Sequence, residues 1–274
     1  MKKITIVGCG NMGGAIARAL AAEADIRLSI HDPYKEELPE GALRDDDLSS
    51  VKDADIVIIA VKPQWITKEF LSSLYEEKNL SLYLHGKGPA FISIAAGIPL
   101  EVLSKAFPHA KVARFMPNIA ASAKKSVTAV AFNEEGKKDE AFRKDVMDVA
   151  ESFGSAFELS ESQFGAFIGI SGSLIAYALE FVNQSAMGGV NAGIPYPTAA
   201  KIVADTLESA AALLRETGKT PAELIPNVCS AAGTTIEGMR ALADGGFASA
   251  LSDAVMRTAE KSDELENNAK ERLA

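Results

Sequence analysis

Cysteine is scarce in this chain. Cys9 and Cys229 are the two present in 274 residues, far apart and in no paired spacing. That excludes a disulfide scaffold and suits a reducing compartment. Histidine is nearly as rare, and His31, His85 and His109 lie in separate segments without metal-ligand spacing, so no zinc site is expected. Positive charge is in deficit too, with 28 Lys and Arg against 37 Asp and Glu, a net charge of −9. Nucleic acids and anionic membrane surfaces select for basic faces, and neither is expected as a partner. The apolar run Ile56 to Val61 is far short of the ~20 residues a membrane span needs. The chain opens straight into a strand pattern, without the basic-then-apolar layout of a secretory leader. The expectation is a cytoplasmic protein. Internal repeats and low-complexity segments are also absent.

What the chain does have is apolar content, 47% of 274 residues, enough for one large or two modest cores. Its organising stretch is Lys3 to Gly14. An apolar run, Ile4 to Val7, breaks at Gly8, Gly10 and Gly13, then passes into a helical pattern through Ala15, Ile16, Ala19 and Leu20. This is G-x-G-x-x-G set between strand and helix. The first glycine permits the tight turn, the second lets backbone approach a pyrophosphate, and the third lets helix pack on strand. The helix N-terminus adds free N–H groups and a partial positive charge. A second strand pattern, Ile26 to His31, ends in Asp32, nineteen residues after Gly13. An acid about 20 residues on is where the fingerprint holds the adenine ribose hydroxyls. Dinucleotide binding follows. Asp32 repels a 2′-phosphate and no Arg follows in its loop, so NADH is favoured over NADPH, with Lys35 nearby to soften the preference.

Beyond Asp32, the acidic run Asp45-Asp46-Asp47 is expected to be a solvated loop. Asp55 to Val61 is a β-branched run of the kind found in parallel strands covered on both faces, and it stops at Lys62-Pro63-Gln64. Open α/β sheets bind ligands outside the carboxyl ends of their strands. Ala60, Lys62 and Pro63 are therefore expected on the same rim as Gly8 to Met12, with Lys62 either beside the cofactor or simply solvated. A helix over Trp65 to Tyr75, strands at Phe91 to Pro99, Lys111 to Met116 and Ser126 to Phe132, and a helix from Gly136 to Ser152 continue the alternation. The loop His85 to Pro89 has no assigned task. Repeated βαβ units give a doubly wound, mostly parallel sheet over residues 1–159. Trp65 and the phenylalanines are expected in the core, and Cys9 is expected to be small packing inside the Gly-rich turn.

From Glu161 onward no strand pattern remains. Helical patterns rich in Ala, Leu, Ile and Met run over Phe167–Met187, Tyr196–Glu216, Pro221–Cys229 and two more segments to the end. Residues 160–274 are thus expected to form an all-helical domain. Between Gly165 and Leu214 so few charges occur that one amphipathic stripe does not account for the pattern. Such helices cross a bundle centre or meet a partner chain, and a homodimer is the expectation. Within this half, Asn227 to Met239 joins two helices through the small-residue loop Ser230 to Gly233 and restarts at Thr234-Thr235. The hydroxyl pair reads either as N-caps or as part of a carboxylate-binding turn, where N–H groups, hydroxyls and the helix dipole converge.

Taken together, Gly8 to Gly13, Ala60-Val-Lys-Pro-Gln64, Ser93-Ile-Ala-Ala-Gly97, Met116-Pro-Asn118 and Val228-Cys-Ser…Gly-Thr-Thr-Ile-Glu237 resemble the pyrroline-5-carboxylate reductase family, in the family's order and over nearly the whole chain. The resemblance implies a Rossmann domain followed by a helical dimerisation domain. It implies NAD(P)H-dependent reduction of the cyclic imine 1-pyrroline-5-carboxylate to L-proline, the last step of proline biosynthesis. Carried over by position, Gly8, Gly10, Asn11, Met12 and Gly13 would hold the pyrophosphate, and Ala60, Lys62 and Pro63 would line the cofactor cleft. Asn227 would stand near the nicotinamide. Ser230, Gly233, Thr234 and Thr235 would hold the substrate carboxylate and ring, with Thr235 bonding the ring nitrogen as the catalytic hydroxyl.

The chain departs from the family pattern at three places. Leu174-Ile175 replace Gly-Pro, Ala231-Ala232 replace Pro-Gly, and Ile119-Ala120 replace Thr-Pro after Met-Pro-Asn. These changes make the expected pocket more apolar and leave open a divergent reductase acting on another imine. A β-hydroxyacid dehydrogenase would need a lysine on the first long C-terminal helix, and Phe167 to Met187 contains none. A non-catalytic nucleotide-binding dimer is the reading from outside enzymology.

Overall fold

The computed structural model describes residues 1–75, 82–83 and 87–273. His85, with the first part of the loop His85 to Pro89, lies outside the described residues. The chain divides into two compact units, residues 1–172 with 258–274, and residues 173–257.

The first unit is built on an eight-stranded sheet of order β3-β2-β1-β4-β5-β6-β7-β8. The strands are β1 (Lys2–Val7), β2 (Ile26–His31), β3 (Leu43–Arg44), β4 (Ile56–Ile59), β5 (Ala90–Ser93), β6 (Val112–Met116), β7 (Ser126–Phe132) and β8 (Gly154–Glu158). Helices α1 (Asn11–Leu20), α2 (Lys68–Leu74), α3 (Leu100–Ala106) and α4 (Glu140–Glu151) connect them. All pairings are parallel except β6 with β7. A parallel return needs a crossover of about a dozen residues, and residues 117–125 supply only a 3₁₀ turn, Ile119–Ala123. So β7 reverses.

The β-branched runs behave as two-faced strands. Ile4, Ile6, Ile56 and Ile58 pack on one face with Ile16, Leu20 and Ile30, while Val7, Val57, Ile59 and Phe91 pack on the other. That alternation is the period of two of a pleated strand covered on both sides. Each such side chain contributes roughly 1.5–3 kcal/mol by leaving water.

The domain boundary expected at 159/160 coincides with the end of the last strand, Glu158, but the compact units divide elsewhere. Phe164, Phe167 and Ala269 belong to the core cluster under the sheet, which draws residues 160–172 and the C-terminal segment into the first unit. Fully buried Arg114 on β6 reinforces this. Its Nη1 is 2.6 Å from Glu161 Oε1 and its Nη2 is 2.6 Å from Glu266 Oε1. Its guanidinium also lies 4.9 Å from the centre of the Phe164 ring.

Three local expectations are corrected. Trp65 is not core: it is 61% exposed, and the turn Pro63–Trp65 precedes a helix that starts only at Lys68, behind the Thr67 N-cap. Phe157, Phe181 and Phe247 are likewise exposed. Asp45 is not solvated. It is 6% exposed, and its carboxylate accepts N–H bonds from Ser49 and Ser50. Its carbonyl meets His31 Nδ1 at 2.9 Å.

The second unit holds α5 (Leu174–Asn191), α6 (Tyr196–Thr217), α7 (Pro221–Val228), α8 (Thr234–Asp244) and the first part of α9 (Phe247–Leu273). It has little core of its own. Ala186 is the buried residue of α5 and Ala199 that of α6, while Leu179, Met187, Ile202 and Leu213 are exposed. A short helix, Phe164–Phe167, and a π-helical turn, Ile168–Gly172, lead into α5. The stretch Glu161–Asn191 is long and apolar enough, by length and composition, to cross a membrane.

Candidate active site

β2 and β4 flank β1 on opposite sides, so the strand order reverses at β1, and Gly8, Asp32 and Ala60 leave the sheet side by side at its carboxyl rim. The Gly8 N–H donates to the His31 carbonyl at 2.8 Å and the Ala60 N–H to the Val7 carbonyl at 2.8 Å. Gly8 has φ +100°, and a Cβ there would stand 2.8 Å from the Ala60 carbonyl carbon. A Cβ on Gly13 would lie 2.2 Å from the Gly8 oxygen, so α1 approaches the turn as closely as glycine allows. Gly10 is the opposite case: nothing lies within 4 Å of its Cβ position. It is also the N-cap of α1, with no side chain bonded to the first-turn N–H groups. The glycine turn therefore packs tightly on two sides and presents open space and unpaired donors on the third, which fits a bound pyrophosphate. Lys62 is exposed and Pro63 half-buried just past β4, on the same rim.

Asp32, expected at the ribose, has a second role in the fold. Its Oδ2 accepts the Cys9 N–H at 2.6 Å and its Oδ1 the Tyr34 N–H at 3.0 Å, so it also braces the glycine turn. A cavity of about 530 Å³ opens there, and Asp32, Arg18, Tyr34 and Lys35 are among its lining residues. Arg18 and Tyr34 are additions to the sequence-based set. The available signal was the helical period, which puts Arg18 on the Gly14 face of α1 with its side chain leaning toward the N-terminus; the sequence-based set did not draw on it. Burial, and next the Asp32 charge, push the Cys9 thiol above its usual range, while Lys35 and Arg18 pull the other way. Cys9 is 2% exposed, a packing residue as expected. A comparable cavity of about 590 Å³ is lined by Glu101, Glu134, Glu158 and Glu161 against one cation, Lys137, a poor match for an anionic cofactor.

Below the rim, Asn118 is 6% exposed and donates from Nδ2 to Ser171 Oγ at 3.2 Å, and Ser171 donates to the Val127 carbonyl at 3.1 Å. The rim loop after β6 is thus tied to the π-helical turn.

The second group of residues belongs to the other compact unit. Asn227 lies on α7, exposed. The loop closes through a bond from the Gly233 N–H to the Ser230 carbonyl at 3.0 Å, and a Cβ on Gly233 would stand 2.2 Å from Ser230 Oγ. Gly233, not a threonine, is the N-cap of α8, and no side chain caps it. The N-cap reading of Thr234 and Thr235 therefore falls: these hydroxyls stand in the first turn beside unpaired N–H groups. Ala232 has φ +54°, in the left-handed region where a Cβ costs roughly 1–2 kcal/mol. The family pattern has glycine at this position. Among the described residues no His, Cys, Asp and Glu cluster could hold a metal ion.

A mostly parallel sheet with a glycine turn and an acid at its switch point, followed by an apolar helical unit, is the architecture of a nicotinamide-dinucleotide-dependent oxidoreductase. Residues 3–97 match a family model described as NADP oxidoreductase coenzyme F420-dependent, and residues 161–265 match one described as pyrroline-5-carboxylate reductase dimerisation. The chain is 33% identical to the pyrroline-5-carboxylate reductase of Escherichia coli (strain K12), over 96% of this chain and 98% of that one. It is 32% identical to that of Methanosarcina acetivorans, over 96% and 98%. Among solved structures, the 1-pyrroline-5-carboxylate reductase of Streptococcus pyogenes is 30% identical, with a TM-score of 0.81 over 96% and 98% of the two chains. The Plasmodium falciparum pyrroline carboxylate reductase with NADP bound shares the fold at 23% identity, with a TM-score of 0.83 over 97% and 98%. The chain belongs to the pyrroline-5-carboxylate reductase family.

Proposed function

We propose that Ser230, Gly233, Thr234 and Thr235 hold the substrate, and that Gly8 to Gly13 with Asp32, Ala60, Lys62, Pro63 and Asn227 hold the cofactor. The reaction is the NAD(P)H-dependent reduction of 1-pyrroline-5-carboxylate to L-proline. The single observation that carries the substrate assignment is the uncapped N-terminus of α8, where unpaired N–H groups and two threonine hydroxyls share one turn. In a chain of net charge −9 that turn is suited to a small carboxylate.

A bound nicotinamide supplies the hydride. The protein has to hold the imine carboxylate through the α8 first turn and keep a hydroxyl, Thr235, at the ring nitrogen, which is protonated when the carbon is electrophilic. Orientation provides most of the acceleration, and no acid–base dyad is needed. Thr235→Val should lower kcat by about 100-fold, the scale of a lost proton-positioning group, with KM for the imine less affected. Unchanged kcat with pyrroline-5-carboxylate would remove Thr235 from the chemistry. Asp32 retains lone pairs for the ribose hydroxyls beyond the two used by backbone N–H groups, which supports NADH as the favoured cofactor.

The exposed apolar faces of α5 and α6 are best covered by a second copy, a homodimer acting in the cytoplasm. The same faces lie within the dimerisation match at 161–265, which supports a partner chain over lipid.

A further inference from the structure

The free charges around the ribose position are mostly not the acid that the sequence singles out. Asp32 is engaged twice, by the Cys9 and Tyr34 N–H groups. Arg18 and Lys35 line the same cavity of about 530 Å³, and among the described residues no ion pair or side-chain hydrogen bond occupies either cation. Glu37 also lines it, so the cavity carries two cations and two carboxylates, one of which is tied to backbone. The guanidinium position is informative. A Cβ on Gly14, one turn toward the N-terminus from Arg18, would lie 3.6 Å from Arg18 Nη1, so the side chain folds back along α1 toward the glycine turn. Both cations are near enough to lower the Cys9 thiol pKa against the opposing effect of Asp32.

We propose that Arg18, assisted by Lys35, is a cofactor-specificity residue that admits a ribose 2′-phosphate into this cavity and so allows NADPH as well as NADH. A guanidinium on a flexible stem reaches phosphate oxygens with two parallel N–H donors, a geometry suited to phosphate and of little use toward a ribose hydroxyl that Asp32 already accepts. Tyr34, 89% exposed, borders the same space. This inference rests on the cofactor-site reading above.

The test is steady-state kinetics of the full-length enzyme with pyrroline-5-carboxylate, using both cofactors. Wild type, Arg18→Met and Arg18→Lys are compared, with 2′,5′-ADP and ADP as competitive probes. The wild type should use both cofactors. The ratio of kcat/KM for NADPH to that for NADH should fall about tenfold in Arg18→Met, the scale of one exposed charge-assisted phosphate contact, and less in Arg18→Lys. Inhibition by 2′,5′-ADP should weaken in parallel. Because the readout is a ratio within one variant, a general loss of folded enzyme cancels. An unchanged ratio, or a wild type that neither turns over NADPH nor responds to 2′,5′-ADP, would overturn the proposal. Failure of the wild type to bind NADH and ADP as well would instead remove the cofactor site itself.

Discussion

Arg114 gives the most quantitative handle on what holds the first unit together. Its guanidinium is fully buried, bonded at 2.6 Å to Glu161 on one side and at 2.6 Å to Glu266 on the other. Glu161 Oε1 also accepts the Leu100 N–H at 2.7 Å, so three distant segments meet at one cation. Arg114→Met keeps much of the side-chain length, removes the charge, and leaves two carboxylates facing each other. Removing one partner from a buried pair costs about 3–5 kcal/mol. The carboxylates here retain 25% and 16% exposure, so water relieves part of the repulsion and the lower end, about 3 kcal/mol, is expected. Glu266→Gln is the opposite case. The cluster carries one positive and two negative charges, and the amide oxygen of glutamine still accepts from Nη2, so the loss should be under ~1 kcal/mol. Urea unfolding at fixed protomer concentration, read as a midpoint shift at constant m, measures both. If Arg114→Met costs less than Glu266→Gln, or both cost the same, the cluster is not the cation-centred clamp described.

Two further outcomes follow from particular atoms. Gly13→Ala places a Cβ 2.2 Å from the Gly8 carbonyl, which must shift. Overpacking of about 1–3 kcal/mol is expected, together with loss of NADH binding in fluorescence titration; normal binding would mean that the close approach of α1 is not needed. Asp139 caps α4 through the Phe142 N–H at 2.9 Å and pairs with Lys111 at 2.9 Å, and these two contacts, in that order, hold its carboxyl below the ordinary range. A depressed carboxyl stabilises above its unfolded pKa of about 3.9 and loses that contribution as pH falls through the folded value. Asp139→Ala should therefore cost about 1 kcal/mol at neutral pH, with the gap to wild type closing below pH ~4. A gap that stays constant down to acid would refute the assignment.

Much was legible in the linear chain because it depends on local rules. Glycine spacing between a β-branched run and a helical pattern dictates the turn, since only glycine fits where a Cβ would meet the Ala60 and Gly8 backbone. The strands β1, β4, β5 and β6 were readable from apolar runs, β2 from its alternation, and the helices from Tyr196 onward from their period; β3 and β8, short or half-exposed edge strands without a continuous apolar run, were not. The proposed substrate loop came from the resemblance. Tertiary packing decided the rest. Trp65 turned outward because the α2 pattern starts only at Lys68. Asp45, one of three aspartates in a row, became a buried cap because His31 and the turn at Ser49 and Ser50 close around it.

The sequence by itself determined a dinucleotide-binding type of fold in the first part of the chain and an apolar helical part after it, since glycine spacing and apolar period are properties of neighbours. Only the tertiary structure decided which charges gather around Asp32 and where the first unit ends. Arg18 reaches the cavity beside Asp32 without pairing with it, whereas Glu161 and Glu266 come to buried Arg114, the latter across 152 positions. Such pairings exist only once the chain has closed, because the cost of burying a charge is met by whichever partner the fold brings within hydrogen-bonding distance.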